Sequence, residues 1–373
     1  MTQSWSSPLE GLRLRLAHPE ALFGLSLMGL AVGVLAGLVI VAFRFLVEFS
    51  QEGVLPGHGP ENYEALPRWG RFALPIAGGV LLAVMFRWFS RGSTQLGIAR
   101  VMVRMAYHQG HISAREFALQ FFGAALAIMS GHSVGREGPH VFLGAASASL
   151  FGQQLRLPNN SIRTLVACGT AAAVGASFNT PLAGVIFALE VVMMEYTVAS
   201  FIPVILASVS ATSVSNMVFG EAAAFDVPAL TLGGMHTLGL VLVLGVFVGA
   251  VSAGLNQSLE SMAARLERVP IWWRMVAAGV GLGLIGVWVP QVMGIGYDTV
   301  QLALTGELAL QLAALLLVMK IVASTVSLGC GVPGGVVGPT LFVGAMCGVL
   351  VASAVDGLWP TMAVSVGAFA LLG

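Results

Sequence analysis

Glu137 lies in the run Ser133-Val134-Gly135-Arg136-Glu137-Gly138-Pro139, directly ahead of an apolar stretch. Glycine lets a backbone turn sharply, and proline is tolerated in the first helical turn, where its missing N–H costs nothing. G-x-x-G-P followed by apolar residues therefore describes a loop that opens a helix. The first N–H groups of a helix lack intrahelical partners and, with the helix dipole, favour a negative group. The chemistry on offer is capture of a small anion by the unpaired N–H groups of such a helix start. A carboxylate at that spot can take the anion's place, so Glu137 would compete with a permeant ion until protonation or rotation displaces it. The alternative is a glutamate that merely caps those N–H groups. The cost of placing a carboxylate in an intramembrane loop favours the gate.

The same loop recurs 200 residues later. Gly135 to Ala145 lies over Gly335-Val336-Val337-Gly338-Pro339-Thr340-Leu341-Phe342-Val343-Gly344-Ala345, with six of eleven positions identical. Gly131 over Gly331 extends the match upstream. Agreement at a fixed offset marks an internal repeat. The second copy adds a second helix start that can aim its N–H groups at the same point. Repeat transporters use such discontinuous helices to hold a substrate near the bilayer midplane. Glu137 breaks the symmetry, because its counterpart is Val337.

Composition places these elements in a membrane. Of 373 residues, 57% are apolar and 9% charged, against about 25% charged in a soluble domain. Mean hydropathy is +0.89. Seventeen basic and seventeen acidic residues balance, so nothing marks a nucleic-acid binder. Glycine, at 47 residues, is abundant in the way that closely packed membrane helices require. Cys168, Cys330 and Cys347 sit in apolar stretches and offer neither a disulfide framework nor a metal pair. Residues 1–20 carry no short apolar region with a cleavage site and are expected to form a cytoplasmic N-terminal segment. Residues 21–373 are expected to form one transmembrane domain.

The first apolar run, Ala21 to Val47, reads as a span. Later runs fall near 72–89, 117–130, 140–155, 162–178, 181–219, 237–256, 275–293, 310–328, 334–355 and 361–373. Several are shorter than the ~20 residues a crossing needs. Broken or re-entrant helices are the expected result, tolerated where they are buried in protein or line a polar cavity. That is the anatomy of a transporter or channel. The connection from Phe86 to Glu116 holds Arg87, Arg91, Arg100, Arg104 and Arg115, whereas 48–71 is mostly acidic. The positive-inside rule makes 87–116 and the N-terminus cytoplasmic and 48–71 external. Gly29, Gly33 and Gly37, like Gly245, Gly249 and Ala253, recur every four residues, a stripe that admits a neighbouring backbone.

The loop Ser133–Pro139 resembles the G-R/K-E-G-P element of the CLC chloride channels and proton-coupled exchangers. Gly335-Val336-Val337-Gly338-Pro339 resembles their second-repeat G-x-F-x-P element. Phe178-Asn179-Thr180-Pro181-Leu182-Ala183-Gly184, followed by Phe187-Ala188-Leu189-Glu190, resembles the N-x-P-L-A-G…E segment between them. The resemblance implies an all-α, polytopic, inverted-repeat fold in the cell (inner) membrane, usually a homodimer with one anion pathway per subunit. It implies transport of chloride by default, with Glu137 as the gate, the amides of Gly135, Arg136, Gly138, Val336, Val337 and Gly338 as the anion-coordinating groups, and no cofactor beyond the transported anion. A proton-coupled exchanger for chloride, nitrate or fluoride is the alternative.

Four positions depart from the family pattern. Its first motif, G-S-G-I-P, survives as Leu96-Gly97-Ile98-Ala99, placing Leu96 where an anion-coordinating serine is expected; Ser93 would supply a hydroxyl only by losing the register. Exchangers carry a proton-relaying glutamate immediately after the position of Glu190, and this chain has Val191, so any proton path would start from Glu190. Val337 replaces an aromatic. The partner of Asn179-Thr180-Pro181 in the second repeat is expected near position 380, so the sequence reads as truncated at its C-terminal end.

Other groupings point elsewhere with less force. His132 and His140 are eight apart, which suits no helical metal pair, so polar lining is expected. An intramembrane serine enzyme built on Ser130-Gly131-His132-Ser133 lacks a histidine base on a second helix. Ser324, Thr325 and Ser327 either line a polar path or bond back to their own helix. Lys320, the only lysine, is expected to snorkel to an interface.

Overall fold

The structure, a computed structural model, describes residues 22–56, 61–89, 96–195, 197–221, 225, 227, 237–358 and 364–373. Residues 1–20 and Ser93 lie outside the described residues. All regular elements among the described residues are helical. In order they are α1 (Leu22–Val54), α2 (Arg68–Phe89), α3 (Ile98–Tyr107), α4 (Ala114–Met129), α5 (Glu137–Gln154), α6 (Asn159–Phe178) and α7 (Pro181–Phe187). Then come α8 (Val198–Phe219), α9 (Thr237–Arg265), α10 (Ile271–Trp288), α11 (Tyr297–Thr305), α12 (Leu310–Gly329), α13 (Val337–Leu358) and α14 (Val366–Leu372). Eight of them are long and apolar enough to cross a membrane. α3, α7 and α11 are ten residues or shorter; α3 and α11 fall between the apolar runs, and α7 is a short piece at the start of the run 181–219.

The chain forms two compact units: 1–46, 95–122 and 137–224 in the first, and 47–94, 123–136 and 225–373 in the second. In the first unit α5 is buried almost throughout, because it is apolar and small on all sides. A Cβ at Gly144 would strike the Gly169 carbonyl, and one at Gly169 the Gly144 carbonyl, so α5 and α6 touch backbone to backbone. The Asn179-Thr180-Pro181 segment is the turn from α6 to α7. Asn179 ends α6 in the left-handed conformation (φ 55°) and its side chain bonds the Glu221 carbonyl at 2.9 Å. Pro181 then opens α7, the position proline suits. α7 continues into a π-helical turn, Ala188–Met193.

The glycine stripe of α1 behaves as expected. A Cβ at Gly29 would meet the Pro203 backbone, one at Gly33 the Ala207 backbone and one at Gly37 the Ala211 Cα, all on α8. The stripe of α9 does not. No atom of the described residues lies within 4 Å of a Cβ built at Gly245 or Gly249. Only 11% of the most apolar window of α9 is buried, so this face is turned outward. Gly33→Val is therefore expected to destabilise by about 1–3 kcal/mol through overpacking, while Gly249→Val stays within about 0.5 kcal/mol. Thermal unfolding of the two variants in detergent checks the contrast.

In the second unit α2 and α10 pack at reciprocal glycines: a Cβ at Gly79 would meet the Met275 carbonyl and one at Gly279 the Pro75 carbonyl. Leu244, Leu282, Leu316, Phe342, Cys347 and Phe369 form its main apolar core. All three cysteines are buried and unpaired.

Candidate functional site

The 200-residue repeat is physically symmetric. Gly135 N–H donates to the Gly335 carbonyl at 2.7 Å, and Gly335 N–H returns the bond to Gly135 at 2.8 Å. The matched glycines thus face each other as an antiparallel bridge. Upstream, Gly131 (φ 82°) and Gly331 (φ 89°) both adopt the left-handed backbone that favours glycine. Val134 packs where any side chain at Gly334 would go. Two residues after each paired glycine a helix opens, α5 at Glu137 and α13 at Val337. Val336 is exposed, whereas Gly338 is buried in the first turn of α13.

Within the second unit this bridge is braced from several sides. Ser133 N–H donates to Ser327 Oγ at 3.2 Å, and Ser133 and Ser324 hydroxyls meet at 3.0 Å. Ser324 and Ser327 thus bond across to the first repeat. Arg136 pairs with Glu48 at 3.5 Å and lies over the Tyr297 ring at 5.3 Å. Glu61 reaches the start of α11, its carboxylate accepting from Gly296 N–H at 3.1 Å and Tyr297 N–H at 3.2 Å. Burial pushes the Glu61 carboxyl above its ordinary range, with Arg136 pulling the other way. Tyr63 donates to the Ile128 carbonyl at 2.5 Å and accepts from Gln51 at 3.0 Å.

Lys320 corrects an expectation. It does not snorkel: its side chain is fully buried. Nζ donates to the carbonyls of Val292 (3.3 Å), Gly294 (3.0 Å) and Ile295 (2.9 Å), and sits 4.8 Å from the Phe342 ring centre. The turn that joins α10 to α11 points carbonyls inward, and a buried ammonium with three donors satisfies them. Lys320 and Glu61 thus hold the two sides of one turn. Sequence reasoning missed that pairing. The one available signal was a lone lysine deep in an apolar run.

In the first unit Glu137 is buried as the first residue of α5. His140, one turn on, bonds Ser177 at 2.6 Å. His132, in the second unit, bonds Ser130 at 3.0 Å. No cluster of metal-ligating side chains occurs among the described residues. Gly97 caps α3 at φ 78°, and its N–H donates to Gln120 Oε1 at 3.0 Å. The Gly97 amide is therefore already bonded, and Leu96 beside it brings no polar group. Glu190 is exposed on the π-helical turn, followed by the partly buried Val191.

The arginine-rich segment is also tied down. Glu116 accepts from Arg100 (2.6 Å), Arg104 (2.8 Å) and Ser113 N–H (3.1 Å). Burial alone would raise its carboxyl, but the bonds from Arg104, Ser113 and Arg100 outweigh it and hold it near about 2, below the ordinary 4.5. A depressed folded value means stability that is present above about 4.5 and lost as pH falls toward about 2. Thermal midpoints of wild type and Glu116→Gln should differ most at neutral pH and converge over that window.

Comparison with known proteins decides the family. Residues 78–373 match the family described as "Voltage gated chloride channel". This chain belongs to the CLC family. Among its relatives, a ClcB-like protein of Ralstonia nicotianae is 32% identical over 317 residues, 83% of this chain and 73% of that one. The "Voltage-gated ClC-type chloride channel ClcB" of Shigella boydii is 30% identical over 342 residues, 89% of this chain and 81% of that one. A CLC-type fluoride/proton antiporter superposes with a TM-score of 0.77 at 25% identity, over 95% of this chain and 85% of that one. A slow cyanobacterial Cl-/H+ antiporter gives the same TM-score at 20% identity, over 95% of this chain and 84% of that one. The CLC protein is accordingly an all-helical integral membrane protein of a chloride channel and transporter family, and not an enzyme. The resemblance drawn from its three motifs is borne out.

Proposed function

We propose that this CLC protein carries chloride, or a comparably small inorganic anion, across the cell membrane with Glu137 as its gate. The observation that supports this best is the reciprocal bridge between Gly135 and Gly335, which pairs the two repeat loops ahead of their helices. Amides of Gly135, Arg136, Gly138, Val336, Val337 and Gly338 are the groups proposed to meet the anion. Leu96 and Gly97 enter this reading with the least support, because the Gly97 amide is bonded to Gln120. Loop charges support a cytoplasmic N-terminus and an external 48–71 connection. A homodimer is part of the proposal, on the strength of the family resemblance alone.

Val191 favours uncoupled or weakly coupled flow. The exchanger reading draws on the antiporters among the structural neighbours and would pass protons through Glu190 or Glu195. Chloride and proton fluxes measured together in proteoliposomes separate them. The reversal potential is expected to follow the chloride gradient alone. A fixed anion-to-proton ratio would overturn uncoupled flow and make Glu190→Gln and Glu195→Gln the next variants. Absence of any anion flux would overturn the transport proposal itself.

A further inference from the structure

α9 changes character along its length. From Thr237 to Leu255 it is apolar, and Leu238, Leu242, Val243 and Val246 are between 56% and 71% exposed. At 1.5 Å per residue that stretch matches the ~30 Å hydrocarbon core. Beyond it the helix turns polar, with Asn256, Gln257, Ser258, Ser261 and Arg265. α10 begins just afterwards with Trp272 and Trp273 stacked 4.6 Å apart, the aromatic marker of a membrane–water interface. The polar end of α9 is therefore at headgroup level.

At that level lies a cavity of about 420 Å³, lined by Gly254, Gln257, Ser258, Ser261, Met262 and Arg265 of α9 and by Thr325 of α12. These α9 positions fall at helical spacing on one face, while the acidic neighbours Glu260 and Glu267 are not among the lining residues. Ser258 is hydrogen-bonded to Thr325 at 2.8 Å, which joins the two walls. Gln257 Nε2 donates to Ser261 Oγ at 3.3 Å, which leaves the Ser261 proton to donate elsewhere. Gly254 has open space around it. Arg265 is exposed and has no ion-pair partner among the described residues. Val243 and Val246 lie three turns before Gly254 and Gln257, so the same face runs on as exposed hydrocarbon-level surface.

We infer that this cavity binds the phosphate headgroup of an anionic phospholipid, with Arg265 and the Ser261 hydroxyl donating to the phosphate, while Ser258, which donates to the Leu255 carbonyl at 2.7 Å, holds the wall. A guanidinium beside the Ser261 hydroxyl suits a phosphate, which accepts from both. The continuous apolar face leading into the cavity selects a lipid over a soluble phosphate, since it would cover an acyl chain. This inference does not depend on the gate or on anion passage.

Native mass spectrometry of the full chain, released from phosphatidylcholine vesicles doped with phosphatidylglycerol, tests it. Wild type is expected to retain phosphatidylglycerol over phosphatidylcholine, and Arg265→Gln to bind it about tenfold more weakly, the loss of one charge-assisted bond. Arg268→Gln, which lies off the cavity, should retain the lipid like wild type. Equal retention by Arg265→Gln and wild type would overturn the site. Equal losses in both arginine variants would replace it with diffuse surface charge. Displacement of the lipid by glycerol phosphate at matched concentration would show a soluble-phosphate site, and the lipid assignment would fall.

Discussion

Chloride flux through Glu137→Gln is expected to lose most of its pH dependence and any proton coupling. As the proposed gate, the ionised Glu137 carboxylate is an internal competitor for the anion. Glutamine keeps the size of the side chain and removes the charge, so it mimics the protonated gate at every pH. The variant should run at neutral pH near the rate that wild type reaches in acid. Flux in proteoliposomes across a pH series decides it, and a variant with the wild-type profile would mean that Glu137 only caps α5. Because Glu137 is buried at a helix start, a folding check by size exclusion belongs beside the flux.

Lys320→Met should be the most destabilising single change outside the glycine contacts. Methionine fills much of the same volume but leaves the carbonyls of Val292, Gly294 and Ile295 without their donor. Each unsatisfied buried acceptor costs about 1–3 kcal/mol, so a loss of roughly 3 kcal/mol or more is expected. The effect should spread to the start of α11, where Glu61 and Tyr297 hold the other side of that turn. Lys320→Arg keeps the charge and should lose less. Unfolding midpoints of the three proteins in one detergent provide the measurement. A methionine variant as stable as wild type would show that the ammonium merely tolerates its cage.

The family and the repeat were legible in the residues because both rest on backbone requirements. A glycine that must turn and a proline that must start a helix leave the same letters wherever the geometry recurs. Gly135 over Gly335 was therefore readable as a repeat before any contact was known. The break at Asn179-Thr180-Pro181 was readable as a gap between the apolar runs 162–178 and 181–219, with Pro181 in the position that opens a helix.

What covers a face was not legible. The stripes at Gly29–Gly37 and Gly245–Ala253 have the same spacing, yet α8 closes on the first while the second stands open. Spacing shows that a backbone could approach, and only packing supplies the backbone that does. Lys320 shows the same limit. Its apolar neighbours in sequence pointed to a side chain stretching for water, because water is the usual partner of an ammonium. Tertiary structure offered a nearer solution in three carbonyls from a turn some 25 residues away in sequence. Hydrophobic pattern, glycine and proline determined that this chain is a membrane protein of broken, repeated helices. The pairing of Gly135 with Gly335, the cage around Lys320 and the seat of Arg136 over Tyr297 join residues far apart in sequence, and only the folded chain brings them within bonding range.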